Sequence, residues 1–123
     1  MESDLLEMLA TETDRRAPAI IEGIRERSGA SEPDAARIEE VRVEIHGLKG
    51  AAMVVGQTRL AALAVQIEIN IVQQVAKGVI APELADTIVT AVNAFQEGAR
   101  AAAAGEPEPP SIETSLAALQ TDT

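Results

Sequence analysis

From Ile38 to Val55 the apolar residues Ile38, Val41, Ile45, Leu48, Ala52 and Val55 recur three and four apart without a break. An α-helix places such positions on one face, and a stripe of this width is the core face of a bundle helix. The same alternation runs through Leu6, Leu9, Thr13, Ala17, Ile20 and Ile24. It returns in Leu60, Leu63, Ile67, Ile71 and Val75, and again in Leu84, Ile88, Val92, Phe95 and Ala99. The spacing therefore predicts four amphipathic helices, over about Glu2–Arg27, Pro33–Val55, Thr58–Lys77 and Pro82–Ala104.

The breaks between these stripes agree with that division. Ser28-Gly29-Ala30-Ser31 reads as a turn, with Ser31 as the cap of the second helix and Pro33 in its first turn. Gly56 and Gly78 read as C-terminal stops. Pro18 lies inside the first stripe, where a proline removes a hydrogen bond, so a kink or two helices in series are expected there. Short links favour antiparallel neighbours. The expected fold is all-α, an antiparallel up-down four-helix bundle. No repeat of fixed period is present. The segment Gly105-Glu-Pro-Glu-Pro-Pro110 reads as an extended linker. Beyond it, Ser111–Gln120 is either a short amphipathic helix through Ile112, Leu116 and Leu119 or a disordered tail. The division is then a bundle over 1–104 and a linker with tail over 105–123.

Composition removes most other chemistries. The chain has 123 residues, one His, no Cys, no Trp and no Tyr. Disulfides and zinc sets fail on content. Di-metal bundles use Glu-x-x-His pairs, and the residue three before His46 is Val43. There is no phosphate loop and no evident ATP site. A net charge of −10 and a lack of stacking aromatics argue against nucleic acid. The most apolar stretch, Leu60 to Val75, contains Gln66, Glu68, Asn70, Gln73 and Gln74, so no membrane span is expected. With no basic-plus-apolar leader at the start, a cytoplasmic and monomeric protein is expected.

Against that background the lone histidine stands out. His46 lies one position past Ile45, about 100° round the helix, at the edge of the core face. Its own stripe is Glu39, Arg42, His46, Lys49, Gly50 and Met53. Lys49 and Gly50 are three and four residues on, hence its surface neighbours. A nucleophilic imidazole, a fixed positive charge and a bare spot then share one patch. Such a patch suits a phosphoryl group on His46 that another protein approaches closely. Helix-interior glycines destabilise, so Gly47 and Gly50 need a reason, either close approach of a partner or packing against a neighbouring helix.

The run His46, Leu48, Lys49, Gly50, Ala51, Ala52 and Gly56 resembles the motif of histidine phosphotransfer (HPt) domains. The version most similar is the N-terminal domain of chemotaxis-type histidine kinases, and the helical context extends the likeness over roughly Leu5 to Ala104. The resemblance implies that His46 is the phosphoacceptor and that Lys49 holds phosphoryl oxygens. It also implies that Glu68, 22 residues on, accepts a hydrogen bond from the imidazole. Gly50, Met53 and Arg42 would serve partner docking, with Val54 beside them. Val65 stands where that version often has a second polar residue, so a reduced network is expected. The resemblance also favours the fifth helix. The implied function is a phosphorelay module without an ATP site. A histidine kinase ATP-binding domain phosphorylates His46, and a response-regulator receiver domain, carrying Mg²⁺ in its own acidic pocket, takes the group from it. Both a freestanding shuttle and a segment of a longer kinase fit. The alternative is a helical adaptor with no phosphate chemistry.

Overall fold

A computed structural model describes residues 2–120; Met1 and the last three positions of the expected tail, 121–123, lie outside it. It contains α1 (Glu2–Arg27), α2 (Ala35–Val54), α3 (Thr58–Val75), α4 (Pro82–Ala103) and α5 (Pro110–Gln120). The stripes read from the sequence face inward. Ile20, Ile24, Ile38, Ile45, Leu48, Leu63, Ile67, Ile71, Ile88 and Phe95 are all buried in one core. Helix α1 packs against α2 and α4, and α3 closes the ring by packing against the same two helices. The α1–α2 and α3–α4 turns meet at one end of the bundle, where the amide of Gly29 donates to Ile80 O and that of Ile80 to Arg27 O. The fold is an all-α bundle of four long helices with a short C-terminal fifth.

Helix α5 covers α3 and α4 and buries Ile112, Leu116 and Leu119. The chain reaches it through a Schellman turn at the end of α4, with Glu106 N–H on Ala101 O and Gly105 N–H on Ala102 O. Gly105 has φ +74°, the left-handed geometry that this turn requires. Arg59 at the start of α3 pairs with Glu108 and Glu113 across the gap.

Two local expectations are refined. Of the two outcomes expected at Pro18, the chain does not form two helices in series, and α1 is continuous from Glu2 to Arg27. Pro18 is exposed, so its ring lies away from the core. The carbonyl that loses its partner belongs to Asp14, in a turn that Gln96 and Arg100 tie to α4 through the Asp14 carboxylate. The cap of α2 is Asp34, whose side chain accepts from the Arg37 amide at 3.0 Å, and Pro33 precedes the helix. A tertiary contact selects this start, because the Asp34 amide donates to Gly78 O at 2.9 Å.

Candidate functional site

Helix α2 presents its polar stripe along the seam with α3. The His46 side chain is 59 % exposed and Glu68 opposite it is 13 % exposed. His46 Nδ1 lies 3.1 Å from Glu68 Oε2, Lys49 Nζ lies 3.0 Å from Oε1, and Arg42 Nη1 lies 3.0 Å from Oε2. One carboxylate therefore receives three side chains of α2. Arg42 also grips Glu39, through Nε at 2.6 Å and Nη2 at 2.8 Å.

Charge fixes the tautomer. Burial pushes the Glu68 carboxyl up, but hydrogen bonds from Lys49, His46 and Arg42 outweigh it and hold the group below its ordinary 4.5. Glu68 is thus ionised near neutral pH and can only accept, so Nδ1 must carry the proton that meets it. In the neutral ring the lone pair then lies on Nε2. The hydrogen bond from Arg42 likewise depresses the Glu39 carboxyl, and Glu39 in turn raises the Arg42 guanidinium.

These shifts make a prediction about acid stability. A carboxyl whose folded pKa is depressed contributes stability above its unfolded value and loses it as the pH falls through the folded pKa. Glu68→Gln should leave an acid limb that is flatter below about pH 4.5. Urea melts of both proteins from neutral to acid pH check this. Parallel curves would mean that the hydrogen bonds to Glu68 add nothing to the fold.

The two glycines beside His46 differ. A Cβ on Gly47 would meet Arg16 Nη1 at 2.6 Å. The Arg16 side chain lies across α2 at this point and bonds Glu12 on α1 and Glu44 on α2 at 2.6 and 2.7 Å. Gly47 thus makes room for the guanidinium of Arg16. Around Gly50 there is nothing within 4 Å, so this position is open. Gly50 lines a groove of about 340 Å³ between α1 and α2, with Leu5, Met8 and Val54. Val54 is 81 % exposed and Met53, toward α3, is 63 % exposed. His46 therefore stands between two exposed apolar flanks.

The structure brings together His46, Lys49, Glu68 and Arg42, and puts Gly50 and Met53 on the same outer surface. The part of Glu39 was not anticipated, although its spacing of three from Arg42 is the helical ion-pair spacing. Val65 is half-buried one turn before Glu68 and has no polar group to offer it. Among the described residues no group of three or more His, Cys, Asp or Glu side chains could hold a metal ion. No described helix is long and apolar enough to cross a membrane.

No curated protein matches the chain. The family model of the Hpt domain does, over residues 4–120, from the first turn of α1 to the end of α5. The chain belongs to the Hpt domain family, whose members carry phosphoryl groups on histidine in two-component signalling, between kinases and response regulators, rather than acting as enzymes.

Proposed function

We propose that His46 accepts a phosphoryl group on Nε2 from a histidine kinase and passes it to a receiver-domain aspartate. The observation that carries this reading is the exposed imidazole whose Nδ1 is engaged by Glu68 at 3.1 Å. The Nε2 lone pair attacks the γ-phosphorus of ATP held by the kinase. The N–P bond forms as the bond to the ADP oxygen breaks. The phosphorylated ring keeps its Nδ1 proton, and the Glu68 carboxylate offsets the positive charge that the ring gains. In the second step an aspartate oxygen attacks phosphorus, the N–P bond breaks and the ring returns to its neutral form. Both transfers need donor, phosphorus and acceptor in line, and the chain's part is positioning and electrostatics. The kinase supplies the ATP site. In this reading the Mg²⁺ of the second step is supplied by the acidic pocket of the receiver. A glutamate 22 residues after the histidine and a fifth helix support a kinase of the chemotaxis type, working in the cytoplasm where ATP is available.

Incubation with radiolabelled ATP and a histidine kinase ATP-binding domain tests the reading. The expected product is an acid-labile, base-stable label on the chain that a receiver domain removes. A chain that takes no label from any such kinase, and none from a small phosphodonor, would be an adaptor.

Lys49 makes a graded prediction. Its side chain is 23 % exposed and its Nζ is already shared with Glu68, yet it stands one turn from His46. Lys49→Ala should slow transfer about tenfold, less than the ~100-fold or more that an enclosed oxyanion donor contributes. Single-turnover transfer measured in both directions checks this. Rates equal to wild type would remove Lys49 from the chemistry.

A further inference from the structure

Glu39 and Arg42 have no part in the transfer as described, yet they form the most constrained ion pair of the site. Both oxygens of Glu39 are used on one guanidinium, at 2.6 and 2.8 Å, which fixes its plane as well as its position. The remaining arm, Nη1, reaches 3.0 Å across the seam to Glu68 Oε2. That is the atom that meets His46 Nδ1. A solitary surface pair between residues three apart is worth little, because two long side chains must be ordered to make it. This pair differs because its third contact falls on the oxygen that selects the histidine tautomer.

Lys49 alone could not hold Glu68 in place. It is a flexible point charge on Oε1, and a carboxylate held at one oxygen still swings about it. The position on α3 one turn before Glu68 is Val65, which cannot donate. The second point of attachment comes from α2 instead. Arg42 and Lys49 approach Glu68 from the two sides of His46 along the helix, one on each oxygen.

We propose that Arg42, held by Glu39, is a positioning residue for His46. It fixes Glu68 Oε2 where that oxygen accepts the hydrogen bond from Nδ1–H, and so keeps the lone pair on Nε2. The inference rests on His46 as phosphoacceptor for its purpose, but its geometry can be tested separately. Arg42 acts through Glu68: its side-chain hydrogen bonds go to Glu39 and Glu68, not to the His46 ring.

Nitrogen NMR of the imidazole, at a pH where the ring is neutral, reads the tautomer. Potassium phosphoramidate, a small phosphodonor that needs no protein partner, reads the reactivity. Wild type is expected to show the Nδ1–H form. Arg42→Ala should show a mixture of tautomers and label about three- to tenfold more slowly, with unchanged melting. Arg42→Lys restores the charge without the fork and should behave like Arg42→Ala. Glu39→Gln weakens the grip on Arg42 but keeps the guanidinium that reaches Glu68, so it should fall between, which keeps the test open if Arg42→Ala folds poorly. A wild-type tautomer in both Arg42→Ala and Glu39→Gln would overturn the inference, as would full rescue by Arg42→Lys, which would show that charge alone suffices. Failure of phosphoramidate to label wild-type His46 would count against the phosphoacceptor reading. The tautomer comparison would still decide the part of Arg42.

Discussion

His46→Gln is expected to abolish phosphate uptake while leaving helical content and melting unchanged. The two halves of this result have separate causes. His46 is the only histidine of the chain, so a phosphoramidate linkage has nowhere else to form on imidazole. The acid-labile, base-stable label expected on His46 should therefore vanish. The fold should not notice, because the side chain is 59 % exposed and α2 is anchored by Ile38, Val41, Ile45, Leu48 and Ala52 on its other face. The substitution gives up one hydrogen bond to Glu68, which keeps Lys49 and Arg42. Exposed substitutions of this kind usually stay within about 0.5 kcal/mol. Labelling by kinase and by phosphoramidate, together with a thermal melt, checks both halves. Residual base-stable label would place the phosphoacceptor elsewhere, and an unfolded variant would mean that His46 supports the core.

What the sequence discloses here depends on how far a side chain reaches. Core faces are periodic, and short apolar side chains stay over their own turn, so Ile45 and Leu48 on α2 or Ile67 and Ile71 on α3 can be placed from spacing alone. Glu68 was legible only through the likeness to a family, since nothing local ties residue 68 to residue 46. Arg42 shows the limit. Its stripe places it beside His46 on the outer face, where a docking role is a natural reading. A guanidinium at the end of a long stem can instead turn across the seam, and here it bonds Glu68 at a separation of 26. The choice of Asp34 over Ser31 as cap fails to show in the sequence for a related reason. Gly78, far along the chain, fixes the Asp34 amide and so decides where the helix starts. Gly47 and Gly50 are indistinguishable as helix-interior glycines until Arg16 is seen lying over the first and nothing over the second.

That difference yields the second large effect. Gly50→Gln is expected to move stability and function in opposite directions. The site is open, with nothing within 4 Å of an added Cβ, so the new side chain displaces no neighbour. Gln is a better helix former than Gly by about 0.5 kcal/mol, because Gly loses more backbone freedom on folding. The variant should therefore melt no lower than wild type, and about 2 °C higher if the gain is realised in full. The function should fall. The added side chain would stand one turn from His46, at the edge of the groove lined by Leu5, Met8 and Val54. A receiver domain must bring its aspartate to about 3 Å from the phosphorus, and a misplacement of about 1 Å can cost ~100-fold. Transfer to the receiver should drop by up to that factor. Labelling by phosphoramidate should persist, because a small donor needs only Nε2. A melt, a phosphoramidate time course and a transfer assay on the same preparation separate the possibilities. A destabilised variant would mean that Gly50 packs against a neighbouring helix after all. A stable variant with wild-type transfer would mean that the receiver reaches His46 from the other flank, over Met53 and α3, and that the bare position beside the histidine is not where it docks.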